Sequence, residues 1–189
     1  MHKNNKITQE DKELLLKDLC TRLPHGVKGR VYAETTNGDY DINGDMIFFD
    51  SPFDVILDEI NTSTEEIHVV AIGNEDTVDF IEDQQVCGIP YTIDEFKPYL
   101  RPMSSMTEEE KIELQKAFNI KSSIIGEYGI SSNDSWYVKD RKEPLGFDTI
   151  RYTSFSGVTD YLNSIHVDYR GLIPKGLALE APKDMYNIK

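Results

Sequence analysis

Cysteine, tryptophan and long apolar runs are scarce in this chain. Its 189 residues include two cysteines and one tryptophan. No apolar run approaches the ~20 residues that span a bilayer as a helix, so no membrane partner is expected. Cys20 and Cys87 lie far apart, which argues against a disulfide-dense secreted scaffold. The first ten residues are polar and lack an apolar h-region, so no signal peptide is expected and the chain is placed in a cytoplasm. Cys20, among Leu15, Leu16, Leu19 and Leu23, reads as a buried apolar thiol. Cys87, in Val86-Cys87-Gly88, reads as an exposed one in a turn.

Positive charge is the next deficit. Lys and Arg number 20 against 34 Asp and Glu, a net charge of −14. The densest basic group, Lys139, Arg141 and Lys142, is diluted by Asp140 and Glu143. Duplex nucleic acid is therefore not an expected partner, because binding it draws on a basic footprint. A DNA mimic, displaying carboxylates to a DNA-binding protein, is compatible with the charge. Hydrophobic residues make up 39%, enough for a folded core and too many for a disordered chain.

Recognisable catalytic and metal motifs are missing as well. His2, His25, His68 and His166 are never three or four residues apart, and there is no Cys-x-x-Cys, so no zinc signature is read. Phosphate-cradling glycine motifs and Gly-x-Ser-x-Gly are absent. No cofactor and no catalytic residue is assigned. The run 39–45, with Asp39, Asp41, Asn43 and Asp45 at alternate positions, has a faint likeness to a calcium loop. It lacks Glu at the twelfth position and flanking helices, so a hairpin turn at Asn43-Gly44 is favoured. With 34 acids, paired carboxylates carry no information about general acid–base chemistry.

What is present is punctuation for an α+β fold. Thr8 with Asp11 caps a helix over 9–22, which Pro24 and Gly26 end. Val27, Val31 and Ala33 alternate with polar residues as a strand. The Asn-Gly pairs at 37–38 and 43–44 then suggest a three-stranded meander through Tyr40-Asp41-Ile42 and Met46-Ile47-Phe48-Phe49. Residues 51–60 carry both a helix start (Ser51, Pro52) and an alternating pattern; strand is narrowly preferred. Further strands are expected at 67–72 and 78–81, and one helical turn after Thr92. Residues 97–102 read as a closing edge strand, its prolines blocking further pairing. The expected N-terminal unit, 8–102, is a helix with a small bent antiparallel sheet or an SH3-like barrel.

A second unit, 103–182, is α-rich. Thr107 and Glu110 form a capping box for a helix over 108–118. The Ser/Gly/Asn-rich stretch 121–135 reads as loop and the first site of proteolysis. Residues 136–138 and 149–152 pair as a hairpin. Val158, Tyr161, Leu162 and Ile165 form a helical stripe. His166-Val167-Asp168 reads as a helix end with a cap-forming Asp168, and Tyr169 to Ile173 as a turn. Residues 1–7 and 183–189 are expected to be loose ends.

The segments 15–24 (LLKDLCTRLP), 97–110 (KPYLRPMSSMTEEE), 168–173 (DYRGLI) and 175–182 (KGLALEAP), taken together, resemble a large set of uncharacterised small proteins of gut anaerobic bacteria and their phages. Tyr161-Leu162-Asn163 stands where that set has Trp-Leu-Asn. The resemblance implies a cytoplasmic protein associated with a mobile element and carries no activity. Its shared segments frame a variable middle, 27–96, as in a common scaffold with differing surfaces.

The functional expectation is a non-enzymatic module for an unknown protein partner, with an acidic inhibitor of a host protein as one form. The alternative is an enzyme whose site assembles from distant residues such as His68, His166, Tyr169 and Arg170. If the shared motifs recognise a partner, Tyr99, Arg101, Tyr169 and Arg170 are the carriers, since Tyr and Arg dominate interface hot spots. The oligomeric state is left open.

Overall fold

A computed structural model of the protein describes residues 7–36, 38–72, 86–117, 127–130, 136–140, 149–153 and 155–186. The first helix, α1 (Gln9–Arg22), begins where the sequence predicts. The Thr8 side chain accepts the Asp11 amide at 3.1 Å, satisfying one of the donors a helix start leaves open. Gly26 ends the following turn at φ +64°, a left-handed conformation natural to glycine.

The main sheet is built from β1 (Lys28–Thr35), β2 (Phe49–Asn61), β3 (Glu66–Ala71), β4 (Tyr91–Thr92) and β5 (Lys97–Pro102), with short β9 (Val167–Asp168) and β10 (Leu179–Glu180). Its order is β10-β5-β1-β2-β3-β4, and β9 also pairs with β5. β1 and β2 pair antiparallel from Lys28↔Ile56 to Thr35↔Phe49. The contested segment 51–60 is therefore strand: Phe53, Val55 and Leu57 face inward, in step with Val31 and Ala33.

Three expectations need correction. The sheet is mixed and does not close into a barrel: β10 and β4 stand at opposite ends of the order, and β9 and β10 both run parallel to β5. Parallel neighbours require long crossovers, and the chain between β5 and β9 supplies one. β5 is consequently not an edge. It pairs with β1 at Gly29↔Pro98 and Arg30↔Lys97. The Arg101 amide donates to the His166 carbonyl and the Ala181 amide to the Leu100 carbonyl, each at 2.8 Å, so residues other than the prolines carry these bonds. Finally, the meander through 40–49 does not enter the sheet as three strands. Residues 38–48 lead into β2 as an arm in which Tyr40 and Met46 form an isolated bridge.

The second half holds α2 (Glu108–Ala117), the strands β6 (Glu127–Ile130), β7 (Trp136–Asp140) and β8 (Thr149–Thr153), and α3 (Phe155–Ser164). Thr107 and Glu110 form the capping box: the Glu110 amide donates to Thr107 Oγ1 at 3.2 Å and the Thr107 amide to Glu110 Oε2 at 2.8 Å. The hairpin of β7 and β8 is in register at Tyr137↔Tyr152. β6 adds a third strand within the stretch read as loop; its strand state comes from pairing with β7, which local composition does not report. The strand expected at 78–81 lies outside the described residues, as do the parts of 121–135 flanking β6.

Two apolar clusters form. The larger lies between α1 and the sheet, joining Leu15 and Leu19 to Val31, Val55, Ile67, Phe96 and Leu100, and it takes in Leu172, Leu177 and Ala178 from the C-terminal part of the chain. The smaller joins Met106 and Leu114 to Val158, Leu162, Ile165 and Val167. Cys20 and Cys87 are both half-buried, so neither matches its expected extreme. Val86 beside Cys87 is fully buried and draws the thiol against the larger cluster. No helix among the described residues is long and apolar enough to cross a membrane.

Candidate functional site

The arm between β1 and β2 is organised from its own polar atoms. Asp41 Oδ1 accepts the amides of Asn43 and Asp45 at 2.8 and 2.9 Å, and Asp41 Oδ2 accepts Asn43 Nδ2 at 3.2 Å. The Asp41 amide donates to the Asp45 carbonyl at 2.8 Å and the Ile47 amide to the Asp39 carbonyl at 2.9 Å. The Gly44 amide donates to the Asp41 carbonyl at 3.0 Å, closing a turn over Ile42 and Asn43. Gly44 has φ +86° and Asn43 does not have positive φ, so the turn is not the type I′ form that Asn-Gly favours. The Asp45 and Asn43 amides hold the Asp41 carboxyl below its ordinary range. The Asp-rich run is thus a turn in which one carboxylate serves backbone donors.

This ordered scaffold displays apolar side chains outward. Tyr40, Ile42, Met46, Ile47, Phe48 and Phe49 are all exposed; Ile42 fully so, Phe48 at 53%. Tyr32, on the outward face of β1, is also exposed. Single exposed apolar residues are ordinary, but a contiguous group is a marker of an interaction site. Sequence reading missed this group by assigning Met46 to Phe49 to a packed strand. Four consecutive apolar residues without alternation were the available signal, since a strand with one buried face alternates.

Of the residues proposed from the shared motifs, Tyr99 is buried and Arg101, Tyr169 and Arg170 are partly buried. Tyr99 is 3% exposed. Its hydroxyl donates to Asp54 Oδ1 at 2.8 Å, and Arg30 Nε donates to the same oxygen at 2.8 Å, with the guanidinium 5.5 Å from the Tyr99 ring centre. Burial, then the Asp54 bond, pushes the Tyr99 phenol up to about 12. Arg101 grips Glu110 with both ends of its fork, at 2.7 and 2.9 Å, and donates to the Ser105 carbonyl at 3.0 Å. Burial opposes ionisation of Glu110, but the Arg101 and Thr107 hydrogen bonds outweigh it and hold the carboxyl below its usual range. An open cleft of about 770 Å³ lies beside this pair, lined also by Lys183 and Tyr186. The polar ends of Arg101 and Glu110 are spent on each other and on the start of α2.

Tyr169 and Arg170 belong to a buried ionic group. Asp18, fully buried on α1, accepts Arg22 Nε at 2.6 Å and lies 3.2 Å from Arg170 Nε. Arg22 also donates to the Val167 carbonyl at 2.8 Å. The guanidinium carbons of Arg22 and Arg170 lie 5.2 and 5.0 Å from the Tyr169 ring centre, within cation–π range. Asp168 caps the next turn by accepting the Leu172 and Ile173 amides, both at 2.8 Å. These contacts give the DYRGLI segment a structural reason. They leave Tyr99 and Arg170 with little surface for a partner.

His166 is buried at φ +56° and stacks on Tyr186, ring centres 3.7 Å apart. The Tyr186 hydroxyl accepts the Lys28 amide at 2.9 Å and donates to the Tyr99 carbonyl at 2.9 Å, seating the C-terminal segment. Desolvation first, then the electrostatic effect of nearby basic groups including Arg22, Lys28 and Arg101, lowers the His166 pKa from 6.5 to about 3. The unfolded chain protonates this residue near its ordinary value while the folded chain does not. Its contribution to stability is therefore complete above about pH 6.5 and is lost as pH falls towards about 3. Denaturant unfolding of wild type and His166→Asn, a residue that tolerates positive φ, should differ in slope across that window. Parallel slopes would contradict the assignment.

His68 is on β3 opposite Glu59. Three strand spacings separate β3 from β5, roughly 14 Å, so His68 is not gathered with His166, Tyr169 and Arg170. Among the described residues, no group of three or more His, Cys, Asp and Glu side chains converges to hold a metal ion. No protein-family model, no curated protein and no solved structure matches the chain.

Proposed function

We propose that this chain is a non-enzymatic protein-binding module whose contact surface is the β1–β2 arm. The observation that carries the reading is the contiguous exposure of Tyr40, Ile42, Met46, Ile47, Phe48 and Phe49 on a hairpin that its own hydrogen bonds keep in shape. Aromatic and aliphatic anchors on a preordered loop lose little freedom on binding, which favours affinity. The arm also falls within the variable middle, so a constant scaffold with a changing contact surface accords with the resemblance. A cytoplasmic, mobile-element-encoded inhibitor of a host protein is the specific form we favour.

The double substitution Ile42→Ser with Phe48→Ser tests this reading. Both side chains are exposed, so the melting temperature should stay within about 2 °C of wild type. Affinity capture from the native host should lose a protein that the wild-type chain retains. An unchanged set of captured proteins would sink the proposal.

A further inference from the structure

The net negative charge of this chain resides in one part of it. Residues 31–96 contain 17 of the 34 acids and none of the 20 Lys and Arg residues, so the rest of the chain is slightly basic. That segment supplies β2, β3, β4, nearly all of β1, and the arm. Cations from outside it meet some of the acids: Arg30 pairs with Asp54 and Lys12 with Asp94, at 2.8 and 2.9 Å. On and beside the arm, Glu34, Asp39, Asp41, Asp45 and Asp50 are exposed among the apolar side chains. The arm is an apolar ridge set in an acidic field with no Lys or Arg of its own segment.

Resting on the protein-binding reading above, we infer that the arm's partner is a protein presenting an apolar groove bordered by Lys and Arg side chains. The groove buries Ile42, Met46 and Phe48, and the basic border meets the arm's carboxylates. A second copy of this chain is a poor occupant, because docking arm to arm would bring two net-acidic segments together, and like charges across an interface cost several kcal/mol. Anionic lipid and nucleic acid are disfavoured by the same repulsion. A basic border instead adds attraction over about a Debye length, ~10 Å near 0.1 M salt, and speeds encounter more than it slows release.

Two synthetic amphipathic helices with an identical apolar face, one carrying Lys and one Glu on the polar face, serve as probes by fluorescence anisotropy. The Lys-faced peptide should bind and the Glu-faced one should not. Raising salt from about 0.05 M to about 0.5 M should weaken binding about tenfold or more. The Ile42→Ser/Phe48→Ser variant should lose most of the Lys-faced binding at the higher salt, where the apolar contact dominates. A charge variant, Glu34→Gln, Asp39→Asn, Asp45→Asn and Asp50→Asn, should show a clearly weaker salt dependence and keep the apolar contact. Melting curves confirm that both variants fold. Equal binding of the two peptides, or Lys-faced binding indifferent to the apolar substitutions, would overturn the inference. For a protein captured through the arm, an association rate that does not change with salt would reject the basic border while leaving the binding reading intact. Retention of that protein by the Ile42→Ser/Phe48→Ser variant would reject the binding reading itself.

Discussion

Gly29→Ala is expected to destabilise the protein by about 3 kcal/mol, the upper range for overpacking a core, and to lower the melting temperature by about 10 °C for a chain of this size. Gly29 is not needed for an unusual backbone; it sits in β1 paired with Pro98 on β5. It is needed for space. A Cβ at this position would lie 2.2 Å from Phe96 Cζ, 2.5 Å from Phe96 Cε2 and 2.8 Å from the Lys97 carbonyl oxygen. Phe96 is fully buried in the larger cluster, so its ring cannot turn out to solvent. The carbonyl belongs to the residue paired with Arg30, so relief by backbone movement would disturb the β1–β5 ladder. Phe96→Leu removes the far ring atoms and should partly rescue Gly29→Ala, giving a coupling of about 1 kcal/mol or more in a double-mutant cycle. A melting temperature within about 1 °C of wild type for Gly29→Ala alone would show the close packing of β1 on Phe96 to be misjudged.

Local hydrogen-bonding chemistry was legible in the sequence where partners lie a few residues apart. Thr8 with Asp11, Thr92 with Glu95 and Thr107 with Glu110 all cap as their spacing predicts. The alternation in Phe53, Val55 and Leu57 decided the contested segment correctly because it reports a buried face. Long-range pairing was not legible. β9 and β10 are two residues each, and their strand character comes from β5, more than 60 residues away in sequence. Local reading of Pro98 and Pro102 therefore pointed to an edge. The same limitation turned Tyr99 and Arg101 into surface candidates: Asp54 and Glu110, which draw them inward, become neighbours only after folding. The arm failed to show for the opposite reason. Apolar residues in a strand-like run are normally core, and nothing in the run itself reports that its side chains are left exposed.

Asp18→Asn should be at least as damaging as the glycine substitution, by about 3–5 kcal/mol, because it strips the counter-charge from two cations already buried. Arg22 is fully buried and Arg170 is 4% exposed at its side chain. Both lie against the Asp18 carboxylate, at 2.6 and 3.2 Å. Asparagine preserves the shape and leaves the two guanidinium groups without that charge in a site where water cannot replace it. The group ties α1 to β9 and the following turn through the Arg22 bond to the Val167 carbonyl, so the loss should spread to the smaller cluster that contains Val167. Replacing the charges together, Asp18→Leu with Arg22→Met and Arg170→Met, removes the cations along with the carboxylate between them and should recover a large part of the loss. By contrast, Glu108→Gln, which breaks the exposed Lys111 pair, should barely move the urea midpoint. If Asp18→Asn costs no more than that surface control, the ionic group is not holding α1 in place. Measured well below its own melting point, Asp18→Asn should still bind the Lys-faced peptide as wild type does. The arm is shaped by hydrogen bonds within residues 39–47, so the scaffold's stability and the arm's recognition are set by different residues.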